Sequence, residues 1–237
     1  MLREELAQEP LNDTKAPRSR PAFWNRLLAR EGVIAYLPII VVAILMFMGA
    51  SWQFTWLHTD AARYQCYSLT FWLGGGATKL LPGVQCAYLP HFAHVASPFH
   101  ALPLEYPPLT LLIFTPALFA PLVYYQMTFA ILMALTAVFI YWLLLRYAPR
   151  GAALAFAAFM LIGAWATAEA RFDLVPAALT LLCVMAAGRK RWTYAYIALA
   201  FAFLLKIYPL LFLPALFIAE QQNARRFHVP RQALSLV

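Results

Sequence analysis

The chain has 237 residues, 63% hydrophobic and 12% charged, with a formal net charge of +8. A soluble domain carries about 25% charged residues, so an ordinary soluble globular protein is excluded. The apolar runs are continuous rather than alternating, which excludes a membrane barrel, and the basic residues flank those runs, which argues against nucleic acid as the partner.

Residues 1–30 are polar and contain Pro10, Pro17 and Pro21. They read as a cytoplasmic segment with no cleaved signal peptide, and FWNRLLAR (23–30) as a short interfacial helix. The region 31–221 reads as an all-α, polytopic membrane domain. Apolar runs predict about six transmembrane helices, near 33–54, 122–145, 151–168, 172–188, 192–205 and 207–220. The last two are short and meet at Lys206 and Pro209. Residues 222–237 read as a cytoplasmic tail.

Between the first two spans lies an external region, 55–121. Its first part, 55–106, reads as an external loop. The run PPLTLLIFTPALFAPL (107–122) is short and interrupted by Pro116 and Pro121. As a full crossing it would put Arg146 and Arg150 outside. As a juxtamembrane helix on the outer face it leaves fourteen of the eighteen basic residues in the cytoplasm. Only Arg63, Lys79, Arg171 and Lys206 then face out, as the positive-inside rule favours.

That orientation gathers Asp60, Glu105, Glu169 and Asp173 on the outer side, with His58, His91, His94 and His100. Charge inside a bilayer costs about 3 kcal/mol or more, so a cluster of this kind marks a membrane edge or a functional site. The histidines of HFAHVASPFH (91–100) lack the spacing of a zinc site, and no metal ligand set is assigned. GGG at 74–76 lacks the GKS of a phosphate loop and reads as a hinge. Cys66 and Cys86 share the external loop. In an oxidising compartment they could close a ring of about twenty residues. Asp173 precedes LVPAALTLL and reads either as a helix N-cap, as part of an ion pair with Arg171, or as a site residue. Lys206 reads equally as a snorkelling side chain.

Four stretches in this order carry a resemblance: HTDAARY (58–64), LEYPPLTLL (104–112), ARFDLVPAALTLL (170–182) and LLKIYPLLFLPAL (204–216). Together they resemble the C-type glycosyltransferase superfamily and, within it, glycosyltransferase family 87. The resemblance covers residues 33–220, about the first half of a typical member. A fragment, a short complete enzyme and a non-catalytic subunit of a larger complex are all compatible with that length. A transporter fits less well, because no inverted repeat is visible.

The resemblance implies a bacterial plasma-membrane hexosyltransferase with a cytoplasmic N-terminus. It would move a hexose, such as mannose, from a polyprenyl-phosphate donor to a glycolipid or glycan acceptor at the outer face. Asp60, just after the first span, corresponds to the family's essential carboxylate, whose role is general base. Arg63, Arg171 and Lys206 are the cations available to the lipid phosphate. Tyr64, Tyr106 and Tyr208 would contact the sugar, and Glu105 and Asp173 would complete the substrate site. Some members of the superfamily use a divalent cation and others do not. Expected partners are membrane lipids, the donor, the acceptor and other membrane subunits.

Overall fold

A computed structural model describes residues 32–53, 59–89, 105–149 and 151–223. The N-terminal segment 1–30, the four histidines named above, Arg150 and the tail beyond Asn223 lie outside the described residues.

Among the described residues all regular structure is helical, with no strand. Helix α1 spans Leu37–Gln53 and is preceded by a 3-10 turn, Val33–Tyr36. Ile39, Val42 and Met46 are buried on its inner side, while Ile44, Phe47 and Met48 are exposed. A helix apolar on every side suits a hydrocarbon surrounding. Helix α2 spans Asp60–Leu73 and ends at Gly74, whose N–H bonds the Thr70 carbonyl. The GGG stretch therefore closes a helix and opens a 3-10 turn over Gly75–Leu80.

The proline-rich segment is a chain of short pieces: a 3-10 turn Pro108–Thr110, helix α3 (Leu111–Phe114) and a 3-10 turn Thr115–Phe119. At one end the Tyr106 ring lies 5.6 Å from that of Tyr64. At the other end the Leu122 carbonyl accepts a hydrogen bond from Gln65 Nε2 at 2.7 Å. Both ends thus return to α2, and the segment does not run from one end of the bundle to the other.

Helix α4 (Tyr125–Tyr147) is the long central element. Tyr141 OH donates to the Ala35 carbonyl at 2.5 Å and fastens α4 to the beginning of α1. Next come α5 (Ala152–Phe159), a π turn Met160–Ala164 and α6 (Trp165–Ala168). Gly163 breaks this element with φ 150°, a conformation that side chains with a Cβ resist. Helices α7 (Leu174–Gly188) and α8 (Trp192–Leu205) pack as an antiparallel hairpin. A 3-10 turn, Tyr208–Leu211, leads to α9 (Phe212–Asn223).

Six spans were expected; among the described residues, two helices reach spanning length with apolar composition, Val33–Trp52 and Leu122–Tyr147. The others are shorter. The α7 and α8 helices, of 15 and 14 residues, are roughly 21–23 Å long at 1.5 Å per residue, against a hydrocarbon core of about 30 Å.

The bundle has two chemically distinct ends. One carries Asp60, Arg171, Asp173 and Lys206. The other carries Arg146 in the last turn of α4, and Arg189, Lys190 and Arg191 just past the last turn of α7. Arg189 lies 4.5 Å over the Tyr147 ring and joins these last turns.

Candidate functional site

Thr59 organises the first of these ends. In extended conformation (φ −78°, ψ 157°), it caps α2, its hydroxyl accepting from Ala62 N–H at 3.1 Å. The same hydroxyl donates to Gln126 Oε1 at 2.6 Å, which locks the start of α2 to the start of α4. Asp60 then occupies the first helical position, where the helix dipole favours negative charge.

Asp60 Oδ2 accepts from Arg171 Nε at 2.6 Å. The hydrogen bond, and then the charge, of Asp60 raise the guanidinium's proton affinity above its ordinary value. Arg171 sits in the turn between α6 and α7, so the pair joins positions 111 residues apart. Two residues on, Asp173 pairs with Lys206 Nζ, which leaves α8 in extended conformation. The Lys206 ammonium also lies 5.2 Å over the Phe172 ring. Asp173 occupies the N-cap position of α7 but makes no side-chain capping bond. Neither the capping role nor an Arg171–Asp173 pair is found; each charge has a partner from a distant element.

Beneath the two pairs is an aromatic floor. Tyr64 is buried and stacks on Phe114 at 4.1 Å, with Tyr106 and Phe172 edge-on at 5.6 Å each. Burial, the neighbouring Tyr106 and the charges of Asp60 and Asp173 all push the Tyr64 phenol far above its usual range. One phenol thus feels both acids. Tyr208 lies within reach of the Asp173 charge. Further along α2, Arg63 pairs with Glu105 at 3.7 Å and lies 5.1 Å over the Tyr88 ring. Tyr88 OH donates to the Arg63 carbonyl at 2.7 Å. Burial, then Glu105, pushes nearby Tyr67 up to about 12.

Cys66 and Cys86 form a disulfide that ties α2 to the turn after it. Gln85 Nε2 donates to Gln65 Oε1 at 2.8 Å beside this bond. The structure therefore brings Asp60, Tyr64, Tyr106, Arg171, Asp173, Lys206 and Tyr208 into one cluster, with Arg63 and Glu105 at its flank.

Glu169, Phe172 and Gln126 were not expected among the site residues. Glu169 is 2% exposed, and neither carboxylate oxygen has a hydrogen-bond partner. Its carboxylate packs against Gly49 of α1 so closely that a methyl group there would overlap it. Burial pushes its pKa up to about 7. Its position between two apolar runs was visible in the sequence; the matching glycine 120 residues earlier was not. No group of three or more metal-ligating side chains occurs among the described residues.

A groove of about 600 Å³ lies beside the cluster, lined by Leu109, Leu112 and Ile113 of the proline-rich segment, Leu132, Leu135 and Phe139 of α4, Val175, Ala178, Leu179 and Leu182 of α7, and Phe201 and Leu205 of α8. It is almost wholly apolar, and Leu205 and Val175 adjoin the Lys206 and Asp173 pair.

A family model described as glycosyltransferase family 87 matches residues 104–229. The match contains Glu105, Tyr106, Arg171, Asp173, Lys206 and Tyr208 and begins after Asp60. No curated protein and no solved structure matches the chain.

Proposed function

The chain belongs to glycosyltransferase family 87, and from that premise we propose that it transfers a hexose from a polyprenyl-phosphate donor to a lipid or glycan acceptor at the outer face of a bacterial plasma membrane. The observation that carries this is the Asp60–Arg171 pair, which joins the acid outside the family match to the basic turn inside it. The apolar groove beside Lys206 suits a polyprenyl tail, and the Lys206 and Arg171 cations beside it suit its phosphate.

In this mechanism Asp60 Oδ1 accepts the proton of an acceptor hydroxyl while Arg171 holds Oδ2. The freed oxygen attacks the anomeric carbon and forms the new C–O bond. The bond from that carbon to the phosphate oxygen breaks, and its electron pair leaves with the lipid phosphate, stabilised by Lys206 and Arg171. Tyr64, Tyr106 and Tyr208 contact the sugar, with Glu105 and Arg63 at the acceptor side. A resident divalent cation does not fit these residues: Asp60 and Asp173 are each already neutralised by a basic partner.

The orientation follows the charge. Arg146, Arg189, Lys190 and Arg191 share one end, which the positive-inside rule assigns to the cytoplasm together with the N-terminus. The complete pairing of the site carboxylates also favours a second reading, a non-catalytic subunit of a larger membrane complex held together by ion pairs. Transfer from radiolabelled polyprenyl-phosphate hexoses decides between them. The first reading expects product from the intact chain and almost none from Asp60→Asn. Equal rates in the two proteins would remove the general base, and no transfer by either would favour the subunit.

A further inference from the structure

A second cavity, of about 480 Å³, opens at the end of the bundle opposite Asp60. Its lining combines apolar Leu143, Met185 and Ala198 with Tyr147, Arg189 and Arg191. We propose that this cavity binds one anionic glycerophospholipid, its phosphate against Arg189 and Arg191 and its acyl chains along the α4–α7–α8 face. The proposal rests on the membrane setting of the proposed function but not on sugar transfer.

Four observations carry it. First, no acidic residue lines the cavity, and neither arginine has a carboxylate partner among the described residues. At the other end, by contrast, Arg63, Arg171 and Lys206 are all paired. Second, the turn presents both arginines together. Arg189, Lys190 and Arg191 N–H groups bond back to Ala186 and Ala187 carbonyls, and Lys190 takes a positive φ of 58°. This backbone closes α7 and satisfies its last carbonyls without using the guanidinium groups. Third, α8 begins at once, at Trp192, with Arg191 as N-cap and no side-chain capping bond. Its first N–H groups therefore add an anion-binding helix terminus beside the two arginines. Fourth, Phe139 and Leu182 line both this cavity and the groove near Lys206. Acyl chains anchored at Arg189 would enter an apolar channel, which a soluble anion has no use for. A basic pocket between membrane helices on the cytoplasmic side has the chemistry of an anionic headgroup site.

Native mass spectrometry of the full chain in detergent, titrated with phosphatidylglycerol or phosphatidylcholine, tests this. One phosphatidylglycerol should be retained with roughly 30-fold preference over phosphatidylcholine, each basic side chain contributing about fivefold. Arg189→Gln/Arg191→Gln should abolish most of that preference. Arg225→Gln/Arg226→Gln removes the same net charge and should leave it intact. Arg189→Lys/Arg191→Lys keeps the charge and should retain part of it, which guards against loss through misfolding. Equal retention of the two lipids, or equal loss in both glutamine pairs, would overturn the site. Displacement of the lipid by millimolar inorganic phosphate would make it a soluble-anion site and overturn the lipid assignment. Sugar transfer plays no part in the readout, so a chain inactive in transfer can still pass.

Discussion

Glu169 gives the sharpest stability prediction. Its carboxylate is buried against Gly49 without a hydrogen bond, and burial pushes it from an ordinary 4.5 up to about 7. In the unfolded chain the group ionises near its ordinary value. Between those two values the folded protein therefore binds more protons than the unfolded one, and stability falls as pH rises. Below the unfolded value both states are protonated and no penalty exists; above about 7 the penalty is full. At 1.36 kcal/mol per tenfold change in proton affinity, it amounts to about 3 kcal/mol at pH 8, and the loss between pH 5 and pH 8 is about 2.5 kcal/mol. Glu169→Gln removes the ionisation but leaves a buried amide with unmet hydrogen bonds, a constant offset of about 1–3 kcal/mol. The offset moves the whole curve; the slope is what distinguishes the proteins. Thermal unfolding of purified wild type and Glu169→Gln from pH 5 to pH 8 should show the wild type losing about 5–10 °C relative to the variant across that range. Parallel pH profiles would refute the buried, unpartnered carboxylate.

Other outcomes follow from the same geometry. Gly49→Ala should destabilise by about 1–3 kcal/mol through overlap with the Glu169 carboxylate, and Glu169→Ala in the same chain should restore part of the loss, read by thermal unfolding. Asp60→Asn should lower transfer by about 10²–10⁴-fold while leaving the unfolding temperature within a few degrees. Lys206→Gln should raise the KM for the polyprenyl-phosphate donor by roughly tenfold or more, since a charged hydrogen bond contributes about 1.5–3 kcal/mol; an unchanged KM would remove Lys206 from the phosphate site. Cys66→Ser/Cys86→Ser opens a ring of sequence separation 20 and should cost about 3 kcal/mol, seen as a lower unfolding temperature that reductant reproduces in the wild type.

The sequence made the helical class legible because long apolar runs have few physical solutions. The boundaries of α8 over 192–205 agree with the expected span. What it could not show was length relative to a bilayer once glycine and proline intervene. The expected span at 151–168 is cut by a π turn at Gly163, and that at 207–220 begins with a 3-10 turn. Pairing was less legible still. Asp173 next to Arg171 looks like a local pair or a cap, because sequence proximity is all a reader sees. The folded chain instead matches Arg171 to Asp60 and Asp173 to Lys206, since the turn between α6 and α7 points the two side chains toward different helices. The Glu169–Gly49 contact belongs to the same class: a carboxylate announces itself, but the space made for it by a distant glycine does not.

Site, donor and chemistry all depend on the Asp60 end lying outside the cell. In a Cys183→Ala background, single cysteines at Lys79, in the region assigned outside, and at Thr193, beside Arg191, can be challenged in intact cells with a membrane-impermeant maleimide. With the Asp60 end outside, Lys79→Cys is labelled in intact cells and Thr193→Cys only after the membrane is opened. The reverse pattern would put the ionic cluster on the cytoplasmic side and contradict sugar transfer at the outer face.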